Sequence, residues 1–357
     1  MRMSKTRIYL KSLFMETPLV RKLLRARKAQ KHSDPKYVYQ IIDKYIKYEM
    51  TQEERKETAA DMDRMFREYG YTYDDYFYYG FAGKSDEERN TYLSEFTRDL
   101  IIGNLNKVYN RPLFDDKKRT YEKYKKYYRR ELIKVTGSGK DFQKLKDFLQ
   151  KHKRIIIKPA SGSMGRGVHI LDIAEMDDVD SILKSELAKA GKYGLVAEEV
   201  IVQDERMAAF HPSSLNCLRV TTVRLNDRIE LFHSFLKIGG GGSVVDNMNL
   251  GGFLCSLDQE TGVVLSARDD FAKLHEVHPD TGVPIVGFTV PHWQEAIAFA
   301  KELAMVTPSN RWTGWDIALD KDENWVMVEG NARGNFRGTK SEIYGLLKEV
   351  GLEKLVS

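Results

Sequence analysis

The stretch RIIIKPASGSMGRGVHIL, 154–171, constrains the fold of this chain more than any other. A β-branched run ends at Lys158, a segment of small residues follows with Gly162, Gly165 and Gly167, and a second apolar run starts at Val168. Glycines at such spacing let backbone N–H groups come close to an anion. A Walker loop would continue with Lys and Ser or Thr, whereas Val168 and His169 follow here. A dinucleotide fingerprint would open a helix, and this loop returns to a strand pattern instead. The chain therefore reads strand, glycine loop, strand. That pattern fits a flap folded over a nucleotide, and it also fits a plain hairpin.

The rest of the chain supplies a body for that unit. Its 357 residues allow two or three domains, and 42% hydrophobic with 31% charged residues describe a water-soluble globular protein. No apolar run approaches membrane-spanning length and the start lacks a signal-peptide pattern, so a cytoplasmic location is expected. Cys217 and Cys255 sit in apolar runs and read as packing residues, which excludes a disulfide framework. The net charge of +5 is concentrated in 2–31 and in KKRTYEKYKKYYRR, 117–130. Without a nucleic-acid-binding motif these clusters read as solvated helix faces, the first also offering peripheral membrane association; no nucleic acid partner is expected.

Residues 1–110 read as helical. Asp34-Pro35 suits a helix start, Gly70 a stop, and Ser85 to Glu88 a capping box that opens one further helix. The tyrosines of YTYDDYFYYGF read as packing of a helical subdomain with wet hydroxyls, or as stacking platforms for sugars or bases. From Arg111 strand patterns dominate, interrupted by two helices, KDFQKLKDFLQKH and VPHWQEAIAFAKELAMV. Near the end, TGWDIALDKDENWVMVEGNARG places Asp316 at one end of a strand and Glu329 and Asn331 on its hairpin partner. Two carboxylates and an amide oxygen are hard ligands suited to magnesium, which is commonly shared with nucleotide phosphates.

In order, IIIKPASGSMGRGVHI, LVAEEVIV, NCLRVTTV, NMNLGG and GWDIAL…VMVEGNARG resemble the motif set of ATP-grasp enzymes. Within them the chain is similar to the sugar-transfer-associated ATP-grasp proteins and to ribosomal-protein glutamate ligases. The resemblance covers Arg111 to about Leu346, and less specifically the tyrosine-rich helices. It implies an α+β ATP-grasp fold, two lobes sandwiching ATP, with a helical region at 1–110, a flap lobe at 111–205 and a metal lobe at 206–357.

Carried over by residue, the resemblance makes Lys117, beside Lys118, and Lys158 the lysines that contact ATP phosphates. Ser161, Gly162, Ser163, Met164 and Gly165 would close over those phosphates. Glu198, Glu199, Val200 and Ile201 match the hinge that reads adenine, and Gln203 or Asp204 the ribose-binding position. Asn247 matches a loop asparagine near substrate. Arg219, Lys237 and Arg333 match cations that hold the transferred phosphoryl group, and Asp316, Glu329 and Asn331 the magnesium ligands. ATP and Mg2+ are the implied cofactors. The implied reaction is ligation of a small carboxylate to an amine through an acylphosphate, on a cell-surface polysaccharide precursor or between amino-acid-like substrates. The alternatives are a phosphotransferase acting on a sugar or alcohol, and a non-catalytic nucleotide-binding module. Arg333, Arg337 and Lys340, with no acid between them, are expected to face an anionic substrate.

Overall fold

The computed structural model describes residues 35–46, 48–107, 110–162, 165–246, 248–334 and 336–356. The basic cluster at 2–31, and with it the expected membrane contact, lies outside the described residues. The helical region starts with α1 (Pro35–Tyr45), then α2 (Gln52–Arg64) and a π-helical turn that ends on Gly70 in the left-handed conformation, φ 76°. Thr51 and Glu54 form a capping box at the start of α2. α3 (Tyr73–Tyr78) and α4 (Asp86–Asn90) follow, α4 opened by the expected Ser85 box. The sequence there predicted one helix. The chain instead stops at Thr91 and restarts with Ser94 capping α5 (Glu95–Leu105), because a second Ser-capped start follows within a few residues.

The tyrosines pack this region, and the hydroxyls of Tyr71, Tyr73, Tyr76 and Tyr79 are bonded within the protein rather than wet. Tyr73 donates to Asp63 and Tyr76 to Asp61, at 2.7 and 2.8 Å, while Tyr71 and Tyr79 bond backbone carbonyls of Arg89 and Leu93. Buried phenols need such partners, and here the acids of α2 provide two of them.

After α6 (Arg111–Asp115) and α7 (Lys117–Tyr128), two antiparallel sheets carry the remainder. The first is ordered β1-β4-β2-β3, from β1 (Leu132–Val135), β2 (Arg154–Pro159), β3 (His169–Asp172) and β4 (Leu195–Glu199). α8 (Gly139–His152) and α9 (Val179–Ala188) cover it through Leu145, Phe148, Leu183 and Leu187. The second sheet is ordered β10-β9-β5-β6-β7-β8. Its strands are β5 (Cys217–Arg224), β6 (Ile229–Ile238), β7 (Phe253–Leu257), β8 (Val264–Arg268), β9 (Trp312–Leu319) and β10 (Trp325–Asn331). α11 (Trp293–Val306) packs on one face against Val220, Leu236 and Cys255. The chain closes on α12 (Lys340–Glu349). α9 and β8 were not expected from the sequence; each holds a short apolar run that reads equally as strand, helix turn or loop. Cys217 and Cys255 are both buried and free. Among the described residues no helix is long and apolar enough to cross a membrane.

The helical region is tied to the second sheet. The Asn106 side chain donates to the carbonyls of Trp312 and Ala332 and accepts from the Trp312 N–H. The segment after β10 is held by Leu93 N–H on the Gly338 carbonyl, and by Tyr79 accepting from Gly338 N–H. Lys340 bonds Asn90 at 3.1 Å.

Candidate active site

β-strands alternate their side chains, so the face of the second sheet opposite α11 carries a separate set of residues. Arg219, Asp316 and Glu329 are cross-strand partners in sequence, Arg219 opposite Asp316 and Asp316 opposite Glu329. Asp316 therefore lies within β9 rather than at a strand end. The turn at 320–324 forms the hairpin as expected, and a register shift between Met327 and Glu329 brings Glu329 opposite Asp316. The turn after β10 folds back on the sheet because Gly314 and Gly334 meet backbone to backbone. A Cβ on Gly334 would come 3.0 Å from Gly314 Cα. This contact holds Asn331 over the carboxylates.

These side chains line a cleft of about 570 Å³ between the two sheets, with Lys117, Lys158, Ser161, Gly162, Gly165, Arg166, Lys237 and Asp246. Asp316 is buried between two cations: Arg219 holds it with two hydrogen bonds, from Nε and, at 2.7 Å, from Nη2, and Lys237 lies 3.4 Å away. Burial pushes its pKa up, but Arg219 and Lys237 outweigh this and hold it below the ordinary range. Lys237 also bonds Asp246 at 3.1 Å, and Asp246 accepts from the Cys217 N–H. Glu329 differs. No cation among the described residues reaches it within ion-pair distance, and burial, with Asp316 adding to it against the pull of Lys117, raises its pKa. With its amide oriented to satisfy both neighbours, Asn331 donates to Glu329 Oε1 at 3.3 Å and accepts from Arg219 Nη2 at 3.2 Å. Arg219 Nη1 has no acceptor among the described residues.

The flap supplies the opposite wall. Gly162, Gly165 and Gly167 all have positive φ, which L side chains resist. Lys117 Nζ donates to the Gly162 carbonyl at 3.0 Å and faces the cleft, whereas Lys118 leans on Tyr121 and Glu122. Glu198 is buried and paired with Lys158 at 3.1 Å and Arg130 at 2.8 Å. Burial opposes its ionisation, but the two cations carry its pKa down to about 2. This pair fixes Lys158 at the mouth of an adjoining cavity of about 250 Å³, lined by Glu198, Glu199, Val200, Ile201 and Gln203.

Not every expected residue gathers here. Gln203 lines the adjoining cavity while clamped to Asn216, whereas the Asp204 carboxylate caps α10 (Glu205–Ala208) and pairs with Arg206, lining neither cavity. Arg333 is exposed on the turn and does not line the cleft. Arg337 is not aligned with it either: its Nε bonds buried Asp75 at 3.2 Å, and Lys340 is occupied by Asn90. Ser163, Met164 and Asn247 lie outside the described residues. Asp246, Arg130 and Arg166 join these sites without a sequence signal that marks them. Asp246 stands beside the Asn-Met-Asn-Leu stretch, but only the return of the loop after β6 brings it to Lys237 and the Cys217 N–H.

The cleft suits a magnesium-bound nucleotide. Five cations (Lys117, Lys158, Arg166, Arg219 and Lys237) face three carboxylates (Asp246, Asp316 and Glu329), an excess of positive charge suited to a triphosphate. Glu329, unmatched beside Asp316, is a fitting ligand for a divalent cation. Among the described residues no three His, Cys, Asp or Glu side chains gather as a metal site, so an ion here would draw its remaining oxygens from Asn331, phosphate and water.

A family model described as sugar-transfer associated ATP-grasp matches residues 96–349. No curated protein matches the chain. Among solved structures it is similar to D-alanyl-alanine synthetase A from Vibrio cholerae, at 12% identity over 61% of this chain and 55% of that one, TM-score 0.40. It is similar to the ATP-grasp ligase PsnB complexed with minimal precursor, at 14% identity over 66% and 57%, TM-score 0.39. A third is the ADP complex of PurK, N5-carboxyaminoimidazole ribonucleotide synthetase, at 13% identity over 65% and 48%, TM-score 0.41. The chain spans about half the length of these structures.

Proposed function

The chain belongs to the sugar-transfer associated ATP-grasp family, and on that premise we propose that it is an ATP- and magnesium-dependent carboxylate–amine ligase working through an acylphosphate. The carrying observation is the row Glu329, Asp316, Arg219, where a carboxylate with no ion-pair partner and a guanidinium Nη1 with no acceptor among the described residues face one cleft. Lys117, Lys158 and the glycine flap would hold the phosphates, and Glu199, Val200 and Ile201 the base. Asp316, Glu329 and Asn331 would hold magnesium, which when bound would neutralise charge on the phosphates. Arg219 and Lys237 would orient the γ-phosphoryl group and balance its equatorial oxygens in transfer. The acid's oxygen bonds to the γ-phosphorus as the bond to ADP breaks. An amine then attacks the acyl carbon, phosphate leaves, and the amine proton passes to phosphate or solvent. Water is kept from the acylphosphate by the flap.

The family description supports placing the acid or amine on a glycan precursor, and a reaction that spends ATP fits the cytoplasm. The three-part division at 110 and 205 then separates a helical region, a flap lobe and a metal lobe. The test is to supply ATP, magnesium, hydroxylamine and candidate acids. The reading expects a hydroxamate and ADP from wild type, and neither from Arg219→Gln. A stable phosphate ester on a hydroxyl acceptor, with no hydroxamate, would favour a phosphotransferase; folded protein that binds ATP without turnover on any acid or alcohol would favour the non-catalytic module.

A further inference from the structure

The row of residues on this face does not stop at Arg219. In register across all six strands it reads Glu329, Asp316, Arg219, Phe235, Ser256, Ser266. At a strand spacing of ~4.8 Å, Ser256 stands about 10 Å from Arg219. The far half of the row floors a second cavity of about 260 Å³. Its other walls come from outside the sheet: Lys44 and Tyr45 of α1, Asp74 and Tyr78 of α3, and Phe336 and Arg337 after β10. Phe235 divides it from the nucleotide cleft, and the Arg219 guanidinium lies 5.8 Å from the centre of that ring.

The chemistry of this cavity is mixed in an informative way. Tyr78, Phe235 and Phe336 offer aromatic faces. Ser256 and Ser266 share one hydrogen bond at 2.7 Å and keep further hydroxyl capacity. Lys44 bridges Asp270 and Asp74 at 3.2 and 3.7 Å, one cation between two carboxylates that retain lone pairs for hydroxyl groups. Arg337 adds a cation with open donors. Asp75, 0% exposed, accepts from Arg98 at 2.9 Å as well as from Arg337 at 3.2 Å, so one carboxylate serves two guanidiniums. Only Nε of Arg337 is engaged; its terminal nitrogens have no acceptor among the described residues, and its guanidinium lies 4.3 Å from the Tyr78 ring centre. Arg268 at the rim likewise has no ion-pair partner among them. Lys44, Arg268 and Arg337 stand against Asp74, Asp269 and Asp270, so the wall is balanced in charge overall, with the open donors of Arg337 and Arg268 set beside hydroxyl-accepting groups and aromatic faces.

We propose that this cavity holds the acid to be activated, and that the acid is polyhydroxylated and of sugar size, a uronate-type sugar acid. The ring would lie against the aromatic faces, its hydroxyls on Asp74, Asp270, Ser256 and Ser266, its negative charge drawn by Arg337 and directed past Phe235 towards Arg219. The helical region is then the substrate-binding element of the enzyme. This rests on the reading that the neighbouring cleft activates a carboxylate.

The test measures binding by calorimetry with magnesium and the non-hydrolysable analogue AMP-PNP, using glucuronate and galacturonate against glucose and galactose. A uronate should bind about tenfold more tightly than its neutral sugar, the margin of one charge-assisted contact. Arg337→Met should remove that margin, and Ser266→Phe, which fills the cavity without touching the Asp75 pair, should weaken the uronate by about tenfold or more. AMP-PNP affinity should hold in both variants. AMP-PNP binding with no preference for either uronate, or uronate binding untouched by Ser266→Phe, would overturn the proposal alone. Failure of wild type to bind AMP-PNP would overturn the nucleotide reading and this proposal with it.

Discussion

Replacing Glu329 by Gln should stabilise the ligand-free protein while removing most of its ATP turnover. Both effects have one cause. Asp316 is matched by Arg219 and Lys237, so Glu329 carries the charge left over. Two carboxylates opposite each other at ~5 Å repel by about 3 kcal/mol at an effective dielectric of about 20. Arg219 and Lys117 offset most of this, leaving on the order of 1 kcal/mol, or about 2 °C in Tm for a protein of this size. The folded-state pKa of Glu329 lies above its unfolded value, so protonation favours the folded state. Wild type loses that contribution as pH rises from the ordinary glutamate range through the raised value, and the variant has nothing to lose. In EDTA, the Tm of the variant minus that of wild type should therefore grow as pH rises above the ordinary glutamate range. Magnesium with ATP should reverse the order, stabilising wild type and not the variant, and ADP release should fall by on the order of a hundredfold or more. Calorimetry and coupled ADP release read the two effects. A variant less stable than wild type at neutral pH in EDTA, or one turning over ATP normally, would refute the reasoning.

Glu198→Gln leaves Arg130 and Lys158 without their buried counter-charge and should cost about 3–5 kcal/mol by denaturant unfolding. Its pKa near 2 places this contribution above the ordinary glutamate range, to be lost as pH falls towards about 2, so wild type should lose its advantage over the variant in acid. Gly334→Ala puts a methyl 3.0 Å from Gly314 Cα and should cost about 1–3 kcal/mol and lower turnover by shifting Asn331; unchanged Tm and rate would contradict the close-approach reading. Gly165→Val, at φ 66°, should raise the KM for ATP with little change in Tm, and loss of folding with ATP affinity kept would return the loop to a plain hairpin.

The strand, loop, strand unit at 154–171 and the hairpin of β9 and β10 were legible because each has local cues: β-branched runs, glycines and a polar turn. Lys117, Lys158, Arg219, Lys237, Asp316, Glu329 and Asn331 were legible as a set only through motif order, and the structure brings them into one cleft. What the sequence could not convey was pairing. Asp246 meets Lys237 only because the loop after β6 returns along the sheet. Arg337 and Lys340 read as wholly free cations, yet Asp75 takes the Nε of the first and Asn90 the second, each from more than two hundred residues away in sequence. The helical region looked like a separate unit for the same reason. Its Asp75, Tyr79 and Asn106 bonds to the end of the chain are long-range, and no local pattern records them.

The most direct measurement follows oxygen. With magnesium, ATP, an amine and glucuronate labelled with oxygen-18 in its carboxylate, phosphorylation of the acid must carry one labelled oxygen from carboxylate to inorganic phosphate. The account predicts one label per phosphate released, in step with ADP, and none from Arg219→Gln. Unlabelled phosphate, or ADP formed with a stable phosphorylated hydroxyl product in place of free phosphate, would contradict it.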